Sequence, residues 1–170
     1  MKSAKEYYRN YQADDDWSEL SSRMVEEVYK HDPIHVLEFG SGSGKHLGEM
    51  GVNGISSCGL DISITNLLNS HFKNNNQFLI LGDESHLRHL CNFDICITVS
   101  VLDHIEDVTD IVDEFKRICN KAVILAEATR HDPETYYWNH DYKAMGFTKL
   151  DYSYTGEDGA TYYIWKWDKQ

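Results

Sequence analysis

Glu38-Phe39-Gly40-Ser41-Gly42-Ser43-Gly44 is the stretch of this 170-residue sequence whose residue types and spacing carry the most chemistry. Glycines at alternate positions let a ligand approach the backbone amides, and at the start of a helix those amides form the positive end of the dipole. Three readings of the loop compete. A Walker loop needs a glycine five residues before the Gly44-Lys45 pair, where Phe39 stands, and Ser or Thr after the lysine, where His46 stands. That reading fails. The dinucleotide pattern GxGxxG, begun at Gly40, needs glycine where Lys45 stands and is weakened. The third pattern, acid-x-Gly-x-Gly-x-Gly, is met at every position. A carboxylate at Glu38 suits a ligand bearing cationic groups and sits poorly beside a pyrophosphate. A structural turn that binds nothing is the plain alternative, but alternating glycines lower helix propensity and need a reason.

Two further acids fall where a nucleotide-type ligand would meet them. Asp61 lies 21 residues after Gly40, at the expected end of a second strand, where an acid can accept both hydroxyls of a ribose. Asp83 ends a third strand, where it can reach an adenine amino group. Each acid alone could equally cap a helix; together they follow the rim outside the carboxyl ends of parallel strands, where open sheets bind ligands. His104, just past the fourth strand, is the first candidate for a general base, with a loop-ordering histidine as the alternative. His131 and His140 are weaker candidates. Glu127 and Arg130 end the fifth strand and could hold an acceptor or pair with each other. Tyr136, Tyr137 and Trp138 could hold a flat or cationic ligand, or pack against Tyr152, Tyr154 and Trp165.

The elements that must position these residues follow from periodicity. A helix is expected over residues 17–29, with Trp17, Leu20, Met24 and Val28 on one face, closed by Pro33. Residues 34–39 form the first strand and run into the glycine loop, and a short helix stops near Gly51. Residues 56–60 form the second strand. Ser63 caps a helix whose apolar stripe is Ile64, Leu67, Leu68 and Phe72. Residues 77–81 and 93–99 are strands three and four, the latter apolar enough to be buried on both faces. Val108, Ile111, Val112, Phe115 and Ile118 form a helical stripe, and residues 122–127 the fifth strand. Residues 147–154 and 161–167 read as a hairpin across Gly156-Glu157-Asp158-Gly159, so the sheet ends antiparallel. This alternation argues for an α/β fold with helices on both faces of a mostly parallel sheet.

Composition narrows the partners. Hydrophobic content of 41% and charged content of 26% describe a globular chain, and no apolar run reaches membrane-spanning length. The N-terminal residues lack a signal-peptide core. A net charge of −12 with dispersed basic residues disfavours nucleic acid as a partner. Cys58, Cys91, Cys96 and Cys119 show no CxxC spacing, so neither a thiolate metal site nor a disulfide framework is expected, and reduced thiols fit the cytoplasm. No metal site is expected.

Between His35 and Glu127 the sequence resembles the class I, Rossmann-like S-adenosylmethionine-dependent methyltransferase superfamily, in particular its small-molecule type 11/12 branch. Val36–Gly44 resembles the first motif, Gly59-Leu60-Asp61-Ile62-Ser63 the second, Leu81-Gly82-Asp83 the third and Phe93–Ile105 the fourth. The resemblance implies a Rossmann-like three-layer sandwich with a seven-stranded sheet whose last strand is antiparallel. It implies S-adenosylmethionine as cofactor, S-adenosylhomocysteine as product and a small-molecule acceptor. Cofactor contacts are expected from Glu38, Gly40, Ser41, Gly42, Gly44, Asp61, Ile62, Asp83, Glu84, Ser100 and Val101, and from Tyr11 in an N-terminal segment folded over the site with Tyr7 and Tyr8. Arg130, His131, Tyr136, Trp138 and His140 are expected on the acceptor side, and His104 at the reacting centre. The chain then divides into a helical segment 1–33, a cofactor-binding core 34–128 and an acceptor-side segment with hairpin 129–170, all in one domain. Two departures stand out: the chain is shorter than most relatives, and Glu84 takes a place where many carry an apolar residue against adenine. Methyl transfer is an in-line displacement with a neutral thioether leaving group, so alignment can supply most of the acceleration. A cofactor-holding sensor or accessory subunit, an NAD(P)-dependent oxidoreductase or epimerase, and aminopropyl transfer are the competing functions. The motifs do not encode the acceptor, the atom methylated or the oligomeric state.

Overall fold

The computed structural model describes residues 8–9, 18–70, 76–129, 137–156 and 159–170. Among them, seven strands form one sheet in the order β3-β2-β1-β4-β5-β7-β6. The strands are β1 (His35–Phe39), β2 (Ser56–Asp61), β3 (Gln77–Leu81), β4 (Phe93–Val99), β5 (Cys119–Ala128), β6 (Thr148–Thr155) and β7 (Thr161–Asp168). The first five pair in parallel, with Leu37 opposite Cys58 on one side and Cys96 on the other. β7 then enters antiparallel between β5 and β6. The strand order reverses between β1 and its neighbours β2 and β4, which makes the carboxyl end of β1 the switch point where a crevice opens. The hairpin and the three-layer sandwich expected from the sequence are both present; residues 157–158 of the hairpin turn lie outside the described residues.

Opposite faces of the sheet bury opposite sides of alternating strands. On one face α1 (Ser18–Tyr29) and α2 (Lys45–Val52) place Leu20, Met24, Val28, Leu47 and Met50 over Val36, Ile95, Ile97 and Ile124. On the other, α4 (Thr109–Ile118) places Val112, Phe115 and Ile118 over Leu37, Cys96, Val123 and Leu125. The α4 stripe read from the sequence, Val108 through Ile118, is buried throughout. β4 and β5, covered on both sides, are correspondingly apolar.

One helix departs from its pattern. α3 (Ile64–Leu68) ends after five residues, and its apolar stripe is not the buried face: Ile64 and Leu68 are exposed, while Asn66 is buried. Ser63 caps this helix as expected, its hydroxyl accepting from the Asn66 amide at 3.3 Å. Asn66 turns inward because its side-chain amide reaches toward the Asp61 carboxylate, 3.5 Å away. A polar anchor overrides hydrophobic periodicity in so short a helix. Phe72, assigned to the same stripe, lies outside the described residues.

Candidate functional site

The glycine loop leaves β1 with its backbone in the left-handed region: φ is 71° at Gly40, 56° at Gly42 and 83° at Gly44. At Gly40 a side chain is excluded twice over. Its φ is strained for an L residue, and a Cβ there would lie 2.2 Å from Cγ2 of Val101. The loop is therefore packed against the turn that follows β4. Gly44 is the N-cap of α2. Ser41 is buried, and its hydroxyl has no hydrogen-bond partner.

Asp61 ties the end of β2 to this loop. Its two oxygens accept from the Gly42 amide and the Ser63 amide, each at 2.7 Å. Burial pushes the Asp61 carboxyl above its ordinary range, and these backbone donors work against that rise. Ile62, next in sequence, is half-buried. Asp83, at the end of β3, is the N-cap of a 3-10 turn over Glu84–His89, accepting from the Ser85 amide at 3.1 Å and its hydroxyl at 2.6 Å. Asp83 and Glu84 are both half-buried. Two of the three rim acids thus organise backbone.

Glu38 is the third, and it is almost fully buried, with 1% of its surface exposed. Its Oε1 lies 2.5 Å from Nδ1 of His46 on α2, and Nε2 of His46 lies 2.8 Å from the Ser21 hydroxyl on α1. Its Oε2 is buried with no hydrogen-bond partner. Burial alone would push His46 down, but attraction and hydrogen bonding to the Glu38 carboxylate carry it above its ordinary value. Buried carboxylate oxygens are normally paired, so this one, beside the glycine loop, is an exception.

The turn after β4 is the fourth wall. Ser100 holds a left-handed φ of 51°, uncommon for a residue with a Cβ, and its amide donates to the Ala126 carbonyl at 2.9 Å. Val101 follows, then a 3-10 turn over Leu102–His104. Glu127, fully buried at the end of β5, fixes this turn. Its Oε2 accepts from the amides of Val101, Leu102 and Asp103 at 3.1, 3.1 and 3.3 Å, and its Oε1 from the Thr98 hydroxyl at 3.1 Å. Burial and the neighbouring Asp103 push the Glu127 carboxyl well above its ordinary range.

His104 stands at the tip of this turn between two tyrosines. Its ring centroid is 4.5 Å from that of Tyr8 and 4.7 Å from that of Tyr137. Nδ1 lies 2.8 Å from the Tyr8 hydroxyl, and Nε2 is 3.6 Å from the buried Asp103 carboxylate. Trp138 joins the same turn through its amide, which donates to the Asp103 carbonyl at 2.8 Å. His140 points back at the turn, its Nε2 2.9 Å from the Leu102 carbonyl, and burial pushes it below its ordinary value. Tyr11, Arg130, His131 and Tyr136, also expected near the site, lie outside the described residues, so the pairing of Glu127 with Arg130 does too.

The structure brings together residues that sequence reasoning passed over. His46 entered the sequence reading only as a mismatch to a Walker loop, and Ser21 not at all. Asp103 beside His104 was visible as a neighbour in sequence, but not as a carboxylate facing the same ring. Among the described residues, no group of three or more His, Cys, Asp or Glu side chains converges as a metal site, and no helix is long and apolar enough to cross a membrane.

Known proteins share this arrangement of strands. A family model described as a methyltransferase domain matches residues 7–156. No curated protein sequence matches the chain. Among solved structures, magnesium protoporphyrin IX methyltransferase from Synechocystis PCC 6803 with bound S-adenosylhomocysteine aligns with a TM-score of 0.74 at 14% identity, covering 90% of this chain and 82% of that one. The N-terminal domain of EvdMO1, with the same molecule bound, gives 0.69 at 15% identity over 89% and 81%. A TehB-like methyltransferase from Corynebacterium glutamicum ATCC 13032 Kitasato gives 0.63 at 12% identity over 86% of each chain. At these identities the likeness is one of fold.

Proposed function

The chain belongs to the methyltransferase-domain family, and from that premise we propose that it takes S-adenosylmethionine as methyl donor and a small molecule as acceptor. The observation that carries the donor is Glu38: a buried carboxylate oxygen without a partner, beside a glycine loop that opens a helix. A donor with an ammonium and a sulfonium group supplies the cation this oxygen lacks; a pyrophosphate would meet a carboxylate instead. The residues present fit such a donor. Gly40, Ser41, Gly42 and Gly44 would line it with backbone, and the partnerless Ser41 hydroxyl offers a further hydrogen bond. Asp61 and Ile62 stand where the ribose belongs, Asp83 and Glu84 where the adenine belongs, and Ser100 and Val101 close the opposite wall. Tyr8, reaching His104 from the N-terminal segment, supports a cover over the site, in which Tyr11 would share.

Bound in this crevice, S-adenosylmethionine would supply an electrophilic methyl group, which an acceptor takes by in-line attack with neutral S-adenosylhomocysteine as the leaving group. His104 is the residue best placed to act on the acceptor. With Nε2–H turned toward the Asp103 carboxylate, Nδ1 carries the lone pair to which the Tyr8 hydroxyl donates, and an acceptor hydroxyl or amine that displaces Tyr8 can give its proton there. Trp138 and His140 border the same turn, and Arg130, His131 and Tyr136 complete the acceptor side on the strength of the sequence alone. The excess of acidic residues disfavours nucleic acid, and the porphyrin named for the Synechocystis relative gives a precedent for a small, flat acceptor on this fold. Four free cysteines fit a reducing compartment such as the cytoplasm.

Calorimetric titration with S-adenosylhomocysteine, with NAD as comparison, tests the reading. The expected result is a dissociation constant on the order of micromolar for the former, about −8 kcal/mol, and no measurable heat for NAD. Binding of NAD in its place would overturn it.

A further inference from the structure

Ser21, His46 and Glu38 form a hydrogen-bonded chain that runs from α1 through α2 to β1, buried along its whole length. The donor reading above uses only its last member. The chain has a property that a simple structural bridge does not require. When His46 is an imidazolium, Nδ1–H donates to Glu38 and Nε2–H donates to the Ser21 oxygen. When it is neutral, Nδ1–H still donates to Glu38, and Nε2 accepts from the Ser21 hydroxyl. A hydroxyl can do both, so the proton can leave without orphaning any atom of the chain.

The two states differ in what Glu38 presents to the glycine loop. With His46 protonated, the buried pair is neutral. With His46 neutral, the pair carries one negative charge, and the buried, partnerless Oε2 has nothing to balance it. Among the described residues, the other titratable groups that act on His46 are Lys45 and Glu49, both on α2 and of opposite sign. A ligand cation placed at Glu38 competes directly with the imidazolium for the same carboxylate.

Resting on the donor reading, we infer that His46 is a positioning residue that sets the net charge of the Glu38–His46 pair, and that cofactor binding expels a proton from the imidazole. Because the Glu38 contact favours the charged imidazole, His46 holds its proton to higher pH in the free protein than an isolated histidine would. Affinity therefore rises as pH climbs through the His46 titration and falls below it, by at most about tenfold per pH unit for one linked proton.

The measurement is calorimetry of S-adenosylhomocysteine binding, whose ammonium supplies the cation, in two buffers of different ionisation enthalpy across roughly pH 6–8. Wild-type protein should release up to one proton per ligand bound. His46→Gln, whose side-chain amide can still donate to Glu38, should bind with an affinity flat across that window and release none. Equal release from both proteins, or binding to wild type with no release, would overturn this inference and leave the donor reading standing. Absence of binding to folded wild-type protein would overturn both. If His46→Gln does not fold, the 15N imidazole shifts of His46 in wild type decide. They should move to the neutral form when the ligand is added at a pH where the free protein is protonated, and an unchanged imidazolium would refute the linkage.

Discussion

Replacing Glu127 separates what its carboxylate holds from what its charge costs. Four donors converge on it: the Val101, Leu102 and Asp103 amides on Oε2 and the Thr98 hydroxyl on Oε1, all at 3.1–3.3 Å. Glu127→Ala strands these donors in a fully buried place. An orphaned buried donor costs about 1–3 kcal/mol; with partial relaxation and some water entry, the loss should total about 4–6 kcal/mol. For a chain of this size 1 kcal/mol moves Tm by about 2–4 °C, so a fall of roughly 10–20 °C is expected. Glu127→Gln should behave differently. With its carbonyl oxygen in the place of Oε2, it keeps the three amides, and its amide nitrogen can donate to the Thr98 oxygen. It also removes a charge that burial and Asp103 disfavour. The sign of the pH effect follows. A carboxyl whose pKa is raised on folding binds more protons folded than unfolded, so wild-type stability falls as pH rises above about 4.3, where the unfolded chain ionises, and Glu127→Gln loses that dependence. Thermal unfolding followed by circular dichroism at several pH values reads both effects. An alanine variant melting within about 2 °C of wild type, or a glutamine variant as unstable as alanine, would refute the reasoning.

Other perturbations probe the remaining walls. Asp61→Ala removes the acceptor for the Gly42 and Ser63 amides, so S-adenosylhomocysteine affinity should fall by about 10–100-fold in calorimetry, or 1.4–2.8 kcal/mol. Gly40→Ala sets a Cβ against Val101 at a strained φ; binding should be lost, and adding Val101→Ala should restore part of it by relieving the clash but not the backbone. Once an acceptor is known, His104→Ala should lower kcat by about 10²–10⁴-fold if the acceptor must lose a proton, with cofactor affinity little changed. By contrast Arg23→Ala, which breaks an exposed pair with Glu26, should change stability by less than about 1 kcal/mol in the same melts.

Much of this protein is set by local pattern. Alternating apolar strands and amphipathic helices fix five parallel strands, because each element must bury one face and the connections leave few ways to do so. The glycine loop and the acids at 38, 61 and 83 were legible for the same reason: strand ends in a parallel sheet all point to one rim, so position in sequence gives position in space. Where the pattern was short, it misled. α3 spans five residues, too few for its apolar stripe to outweigh one buried contact between Asn66 and Asp61.

What only the tertiary structure decided is which side chains meet across the fold. Ser21 and His46 are 25 residues apart, and Tyr8 and His104 are 96 apart. No periodicity links either pair, because they sit on different elements whose separation is set by packing distances and not by chain geometry. The same holds for Glu127, whose sequence context is only a strand end, yet whose carboxylate organises the turn that carries His104. Local sequence determines each element and the rim where a ligand sits; the partners that tune charge and orientation at that rim come from the closed three-layer packing, which brings distant polar groups into a low-dielectric interior where each must find a match.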